Sequence, residues 1–506
     1  MDRSDWDDGP VRGTKRKYSE DGAQVDEMRS SSSKLAILED PSNCSPAGTP
    51  GASPTSEPLA IRDNEYFKTL YAEETDFGLL GRRDPDFQAV LQHGSLLDFS
   101  DPASVMQLTK TLLKVDFGLR VDLPADRLCP PVPNRHNYIL WLKDLVDSSA
   151  PSYLEAYDPA RRVTGLDMGT GASLIYPLLG CAQRPAWSFV ATDVDPKSLS
   201  YARRNASLNG LEPRIRVVHR HDVVADPLVP LDELGLKNID FAMVNPPFYT
   251  SEAELADLAA QKSRPPNSAC TGAPVEMVCE GGEVGFVRRL VDESLVLRER
   301  VQWYTAMLGK QSSLDVLISG LRDCGVTNYA VTAFVQGNKT RRWALGWSFG
   351  VRRPSLSASR GCEPLGGKKL LPPPTERIIW AWTATEAGPE RLEQVICDAM
   401  QTLDLVYWSW DKSRSRGLGF VDGNVWRRAY RREKARKEVD IQPPSGDRHS
   451  SLSPRAREEC AFGFSITIRM DEDNVTAVVR WLQGNDHVLF ESFAGFLRNS
   501  IRTSPE

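Results

Sequence analysis

Short apolar runs alternate with helical patterns through the middle of the chain, residues 161–350. The first four runs cover residues 163–168, 187–192, 215–218 and 239–244. They are mostly apolar and show no strict alternation with polar residues, which is typical of strands buried on both faces of a parallel sheet. Three later runs, residues 303–308, 329–334 and 342–349, bring the number of strands to seven, and the last two could be antiparallel. The pattern predicts an α/β domain with a mostly parallel seven-stranded sheet.

The residues before and after this central domain differ from it in composition and periodicity. Residues 1–60 are rich in Ser, Pro, Gly and acidic side chains, a composition that predicts a disordered tail. Residues 61–160 show helical spacing and predict a helical accessory segment of the central domain, whose own limits are 161–350. Residues 351–375 are rich in Pro, Gly and Ser and predict a linker.

Residues 376–506 predict a smaller C-terminal α+β module. We expect strands at 377–383, 405–410 and 462–470, helices at 390–403, 475–482 and 490–497, and a disordered insertion near 438–458. Basic residues with Trp426 and Tyr430 among them crowd between Lys412 and Lys437: Arg414, Arg416, Arg427, Arg428, Arg431, Arg432, Lys434 and Arg436. Such a face either binds RNA phosphates and stacks bases, which we favour, or is a solvated basic helix.

Small and acidic residues follow the first strands at their carboxyl ends, where open α/β sheets bind ligands. Gly169, Gly171 and Ser173 follow the first strand, and small residues let the backbone approach a ligand closely. Asp193 ends the second strand, where a ribose diol would be held, and Asp222 lies just past the third. Gly-x-Gly is also found in dinucleotide enzymes, so this loop alone does not identify the cofactor.

The fourth strand runs into Asn245, Pro246, Pro247 and Phe248. The prolines stiffen the backbone, so the Asn245 amide oxygen and the Pro246 carbonyl become two fixed acceptors. Two such acceptors could hold both hydrogens of a planar exocyclic amine and position its nitrogen for in-line attack. Phe248 could stack on a flipped-out base. The alternative is a proline-rich turn.

The ordered set of strand ends favours an S-adenosylmethionine-dependent amino-methyltransferase over an NAD enzyme. The competing interpretation is an inactive fold that keeps remnants of such a site. Arg135, at the entrance of a helix that carries Tyr138 and Trp141, either pairs with a ligand carboxylate or is a surface arginine. The long polar stretch 251–283 predicts a lid or gate over the site.

Composition and charge limit the partners, metal sites and cellular compartment that we expect. The net charge of −6 means that nucleic-acid binding must depend on a local basic surface. The nine cysteines include no Cys-x-x-Cys pair, and the six histidines show no zinc spacing, so we expect no metal and a reducing compartment. No signal peptide or long apolar run is visible, so we expect no membrane span. The basic run Lys15-Arg16-Lys17 is either a nuclear localisation signal or a solvated charge cluster.

Several segments together resemble one family. They are 116–119, 135–141, 169–180, the Asn-Pro-Pro-Phe segment 245–248, 280–283, 307–310 and 342–349. The resemblance covers roughly residues 62–350 and is to the methyltransferase-like protein 16 family, with bacterial ribosomal RNA adenine-N6 methyltransferases as more distant relatives.

The resemblance implies a class I Rossmann-like methyltransferase that transfers a methyl group from S-adenosyl-L-methionine to N6 of adenine in structured RNA, notably U6 small nuclear RNA. It places cofactor contacts on Arg135 (methionine carboxylate), Gly169, Ser173, Asp193 (ribose), Asp222 and Asn245. It implies a nuclear protein, with the cytoplasm as a further location. Alternatives left open are methylation of guanine N2 or of a protein glutamine amide, and an RNA-binding protein without catalysis.

Overall fold

A computed structural model describes residues 62–222, 225–254, 272–336, 340–361, 370–383, 388–438, 457, 459–471 and 474–503. The predicted N-terminal tail with Lys15-Arg16-Lys17, residues 255–271 of the predicted lid, and most of the predicted 438–458 insertion lie outside these ranges. The described residues form one compact unit. Within the ranges given, no helix is long and apolar enough to cross a membrane.

Five helices precede the first strand: α1 (Asn64–Thr69), α2 (Phe77–Arg83), α3 (Pro85–Gln88), α4 (Pro102–Phe117) and α5 (Val132–Ser148). The ends of α4 follow from its sequence. Asp101 caps its first turn by accepting hydrogen bonds from Ala103 N and Ser104 N, and Pro102 occupies a first-turn position that needs no donor. Gly118 ends it in the left-handed conformation, at φ 69°.

Strands and helices then alternate. The elements are β1 (Val163–Met168), α6 (Ile175–Gln183), β2 (Trp187–Asp193), α7 (Pro196–Leu208), β3 (Ile215–His219), α8 (Leu231–Leu234), β4 (Ile239–Val244), α9 (Pro274–Met277), α10 (Gly282–Leu297), β5 (Val301–Leu308), α11 (Gln311–Asp323), β6 (Asn328–Gln336) and β7 (Thr340–Ser348). A short 3-10 turn, Arg298–Arg300, joins α10 to β5.

These seven strands form one sheet in the order β3-β2-β1-β4-β5-β7-β6. Strand β7 runs antiparallel to β5 and β6, and the other neighbouring pairs are parallel. The expectation of a mostly parallel seven-stranded sheet is confirmed. Strands β2 and β3 are added on one side of β1, and β4 and β5 on the other. The loops that follow β1 and β4 therefore diverge and leave a crevice at the carboxyl ends of these strands.

Both faces of this sheet are covered. Phe241 and Trp303 are fully buried against α1, α4, α5 and α6 on one face, and Tyr304 and Trp347 against α10 and α11 on the other. The central strands are therefore mostly apolar, because their residues face helices on both sides of the sheet. The polar side chains that the sequence predicts for the site lie at the carboxyl edge of the sheet.

A second sheet of five antiparallel strands lies in the C-terminal part, in the order β8-β12-β11-β10-β9. Its elements are β8 (Glu376–Thr383), α13 (Pro389–Gln401), β9 (Tyr407–Asp411), β10 (Arg416–Val421), α14 (Arg428–Glu438), β11 (Phe462–Met470), β12 (Asn474–Gln483) and α15 (His487–Thr503). Helices α13 and α15 pack on one face of it. The predicted C-terminal α+β architecture is confirmed.

Two details of this part were predicted wrongly. Residues 475–482 form strand β12 rather than a helix, because both sheet faces are covered there and the sequence shows no polar alternation. Trp426 is not on the basic face: it is 5% exposed and packs on Phe462 and Phe493. Among the basic residues, Arg416 is largely buried and forms an ion pair with Glu155.

The segment 351–375, predicted to be a linker, is packed where it is described. Helix α12 (Leu356–Ser359) lies within it, and the Ala358 carbonyl accepts a hydrogen bond of 2.8 Å from Trp141. Arg353 is 3% exposed, donates to Gly484 O and Thr327 O, and lies 4.2 Å from the centre of the Trp481 ring. Burial lowers the pKa of Arg353 to about 9.

Candidate active site

A cavity of about 250 Å³ lies at the carboxyl ends of β1, β2 and β4. Seven of the residues predicted from the sequence line it: Arg135, Gly169, Ser173, Asp193, Asp222, Asn245 and Pro247. Pro246 is buried and Phe248 half-buried, and neither lines the cavity. The fold thus gathers predicted residues that are up to 112 positions apart in the chain.

The conformation of the Gly loop between β1 and α6 is fixed by backbone angles and backbone hydrogen bonds. Gly169 and Gly171 have φ angles of 70° and 65°, a region that side chains rarely adopt. The N–H groups of Gly169 and Thr170 donate to Thr192 O at 2.9 and 3.0 Å, which ties the loop to β2. A Cβ added at Gly169 would meet nothing within 4 Å. The open side of this loop therefore has room for a ligand.

Asp193 connects the Gly loop to the end of β2. Its Oδ2 accepts a hydrogen bond from Gly171 N at 2.8 Å, and its Oδ1 accepts one from Asp195 N at 2.9 Å. Burial raises the pKa of Asp193 above its usual value, while these N–H donors act in the opposite direction. Each oxygen keeps lone-pair capacity for a ligand hydroxyl.

Arg135 lies inside the molecule and not on its surface, with 6% of it exposed. Its Nη1 donates to the Tyr176 hydroxyl at 2.7 Å and lies 3.2 Å from Met307 Sδ. No carboxylate of the described residues lies within 4.0 Å of this guanidinium. A buried cation without an anion is costly unless a ligand supplies one, so the pocket fits a ligand with a carboxylate at this end.

Asn245 and Pro246 form the arch that follows β4. The Asn245 Oδ1 atom is buried and has no hydrogen-bonding partner among the described residues. The Pro246 carbonyl likewise accepts no hydrogen bond from them. Beyond the arch the chain is anchored, because Tyr249 N donates to Met277 O and Cys279 N donates to Tyr249 O, each at 3.0 Å. Asn245, which lines the cavity, thus offers an acceptor without a protein donor, and the carbonyl of the next residue, Pro246, is a second one.

The Phe248 ring lies against the start of the loop after β5. A Cβ on Gly309 would be 2.9 Å from the ring, and the Arg342 guanidinium is 5.6 Å from the ring centre. Glu283, which is 3% exposed, holds this loop by accepting from Gly309 N at 2.6 Å and Lys310 N at 3.1 Å. The ring therefore lies close to the loop after β5, which Glu283 of α10 holds in place, and to Arg342 of β7.

Asp222 also lines the cavity and is exposed, and its Oδ1 accepts from Ala225 N at 3.0 Å. In the described part of the chain, no three His, Cys, Asp or Glu side chains are grouped so as to hold a metal ion.

Sequence reasoning gave no role to Tyr176, Glu276 or Glu283. Tyr176 and Glu283 lie within segments that carry the family resemblance, but one sequence does not reveal that they support Arg135 and the loop at Gly309. Glu276 lies in a polar stretch without periodicity, so no pattern signals that it reaches the cavity.

Comparison with known proteins gives concordant matches. A family model described as RNA methyltransferase matches residues 62–350. The RNA N(6)-adenosine-methyltransferase mettl16 of Danio rerio is 34% identical over 483 residues, covering 88% of this chain and 98% of that protein. The U6 small nuclear RNA (adenine-(43)-N(6))-methyltransferase of Schizosaccharomyces pombe is 34% identical over 407 residues, covering 80% of this chain and 95% of that protein.

Among solved structures, the N-terminal domain of human METTL16 in complex with SAH is 38% identical. That match covers 56% of this chain and 97% of that one, with a TM-score of 0.46. From the family model and the near-complete match to the Danio rerio protein, the chain belongs to the RNA methyltransferase family, in the methyltransferase-like protein 16 group.

Proposed function

We propose that this protein transfers the methyl group of S-adenosyl-L-methionine to N6 of an adenine in a structured RNA, with U6 small nuclear RNA as the target. The reaction follows from the family. The choice of U6 rests on the Schizosaccharomyces pombe relative, whose name specifies that RNA.

The observation that carries the proposal is the unpartnered Asn245 Oδ1 next to the Pro246 carbonyl. An exocyclic amine has two N–H donors, and two fixed acceptors match them. Hydrogen bonding to both hydrogens holds the N6 lone pair toward the methyl donor and stabilises the positive charge that develops on nitrogen. The extra proton is then lost to water. Phe248 offers a face on which the flipped adenine stacks, and Pro247 keeps the arch rigid.

The cofactor supplies an activated methyl group on a sulfonium. In our proposal Arg135 pairs with its carboxylate, and Gly169 and Ser173 place the Gly loop against it. Asp193 accepts from the ribose hydroxyls, Asp222 lies on the adenine side, and Asn245 contributes from the arch. The unpaired guanidinium of Arg135 and the open space at Gly169 support this arrangement.

The RNA-binding surface we propose includes α14. Of its side chains that are described, Arg428, Arg431, Arg432 and Arg436 are exposed, as is Arg427 just before it. Exposed guanidinium groups on one helix can bind the phosphates of an RNA backbone. Tyr430 is 37% exposed and donates to Asp404 Oδ2 at 2.8 Å. We also propose a nuclear location, supported by the U6 target and by Lys15-Arg16-Lys17.

The alternative functions differ from the proposed one in the product that they would give. Guanine N2 and a protein glutamine amide are planar amines that a similar arch could hold, and an RNA-binding protein without catalysis would give no product.

The test is methyl transfer from labelled S-adenosylmethionine to a U6-like RNA, followed by nucleoside analysis. We expect the label in N6-methyladenosine. Label in guanosine or in protein would refute adenine as the substrate, and tight RNA binding without label would refute catalysis.

A further inference from the structure

Glu276 connects the cavity to a segment far away in the chain. It belongs to α9 and lines the cavity. Its Oε2 accepts from Leu128 N at 2.9 Å and from Ala273 N at 2.8 Å. Leu128 also lines the cavity, and its neighbour Arg127 is bound to Asp195 at 2.9 Å. One oxygen of Glu276 thus fastens α9 to the wall of the cavity.

The other oxygen, Oε1, has no hydrogen-bonding partner within the described ranges. A Cβ added at Gly171 would lie 3.6 Å from it, so Oε1 lies beside the Gly loop. Burial raises the pKa of Glu276, with Asp193 adding to the rise and Arg127 opposing it. A carboxylate in this position is stabilised in its charged form by a cation that enters the cavity.

Charge balance in the cavity indicates which cation. Arg135 offers a positive group without an anion, whereas Asp193 already accepts from Gly171 N and Asp195 N. An α-amino acid presents a carboxylate and an ammonium a few ångströms apart. A ligand whose carboxylate pairs with Arg135 therefore needs an anion for its ammonium, and an ammonium has three donors that a carboxylate oxygen accepts strongly.

We propose that Glu276 Oε1 accepts a hydrogen bond from the α-ammonium group of the methionine portion of S-adenosylmethionine. Oε2 of the same carboxylate accepts from Leu128 N and Ala273 N and so holds α9 against the cavity wall. Glu276 would therefore both bind the cofactor and keep this wall in place. This inference rests on the proposed assignment of the cavity to S-adenosylmethionine.

The test measures binding to the full chain without RNA, by calorimetry, so it does not depend on turnover. The ligands are S-adenosylhomocysteine, its analogue with hydroxyl in place of the α-amino group, and methylthioadenosine, which lacks the whole amino-acid portion. We expect wild type to bind the deaminated analogue about 10- to 100-fold more weakly than S-adenosylhomocysteine, the range for a hydrogen bond to a charged group.

The variant Glu276→Gln keeps an oxygen for Leu128 N and Ala273 N but removes the charge. We expect it to bind S-adenosylhomocysteine more weakly by a similar factor, with the deaminated analogue and methylthioadenosine within about twofold of wild type. Glu280→Gln is the matched control, because Glu280 is another glutamate at the cavity but is exposed. We expect this control to keep the discrimination.

Equal affinity of wild type for S-adenosylhomocysteine and the deaminated analogue would overturn the proposal, whether or not any variant folds. So would an equal loss for methylthioadenosine in Glu276→Gln, which would place the contact at the nucleoside, or loss of discrimination in Glu280→Gln alone. Wild type that binds none of the three ligands would instead refute the cofactor assignment itself.

Discussion

At the scale of single residues, the site consists of polar groups whose partners within the protein are incomplete. The Arg135 guanidinium contacts the Tyr176 hydroxyl and the Met307 sulfur but no carboxylate, and Asn245 Oδ1 accepts no hydrogen bond from the described residues. Both residues were singled out from the sequence by position, Arg135 at a helix entrance and Asn245 at a strand end. Their unpaired state could not be predicted, because it depends on residues such as Tyr176 and Met307 that are distant in the chain.

Asp167 gives a pH-dependent prediction at this scale. It is 1% exposed at the end of β1, accepts from the Thr170 hydroxyl at 2.6 Å, and burial raises its pKa to about 7. The folded state therefore keeps a proton that the unfolded chain releases near pH 4. The contribution of Asp167 to the free energy of unfolding therefore decreases as pH rises from about 4 to about 7, and it stays constant above about pH 7.

We therefore expect Asp167→Asn to gain stability relative to wild type between pH 5 and pH 8 in urea unfolding. Asp195→Asn is the control, because the pKa of Asp195 is lowered to about 2, chiefly by hydrogen bonds from Arg127 and Ser198 that outweigh desolvation by burial. Its difference from wild type should stay constant over the same interval. A constant difference for Asp167→Asn as well would refute a raised pKa.

At the scale of elements, hydrophobic periodicity predicted the catalytic strands well. Strands β1 and β4 have the bounds expected from the sequence, because buried parallel strands are mostly apolar and contrast with the polar or glycine-rich residues that follow them. Strand β10 was not predicted, since Gly417 and Gly419 weaken the strand pattern. Those glycines leave space for Trp408, Trp410 and Phe464, whose rings would clash with a Cβ there.

The contact between the loop after β5 and the arch gives a second prediction. Gly309→Ala would place a Cβ 2.9 Å from Cδ1 of Phe248, and the ring must move. We expect turnover on RNA to fall about 10- to 100-fold, as for a small misplacement of a reacting group. Affinity for S-adenosylhomocysteine should change by less than about twofold, since Gly309 does not line the cavity.

Gly495→Ala on α15 is a matched control for this substitution, because a Cβ there would meet nothing within 4 Å. It should leave turnover unchanged. Normal turnover in Gly309→Ala would show that the position of the Phe248 ring does not matter for the reaction.

At the scale of the whole molecule, the C-terminal sheet packs on the connection between α5 and β1. Glu155 pairs with Arg416 at 2.8 Å and with Arg480, and the Tyr153 hydroxyl bonds to Gln483. Arg480, which is 4% exposed, also donates to Ser148 O at 2.8 Å. The composition of residues 351–375 predicted a linker and hence a tethered C-terminal module. The sequence alone does not show that Arg353 and Arg480 are buried where the C-terminal sheet packs against the rest of the chain. The division at residue 350 stays a proposal.

If the parts unfold together, loss of the Glu155 charge should destabilise both. We expect Glu155→Gln to lower the free energy of unfolding by about 2–4 kcal/mol, as when one partner of a buried ion pair is removed. Glu491→Gln is the control: its pair with Arg377 is 36–37% exposed, so the loss should stay below about 1 kcal/mol. Two separate unfolding transitions in wild type would contradict a common folding unit.

The central claim is that the arch at Asn245 catalyses methyl transfer, and single-turnover methylation of a U6-like RNA by Asn245→Ala tests it most directly. We expect the rate to fall about 100-fold or more, because one of two fixed acceptors is removed, while RNA affinity and the unfolding temperature stay near wild type. Asn499→Ala, an exposed position on α15, should leave the rate unchanged. A rate in Asn245→Ala close to that of wild type would contradict the account.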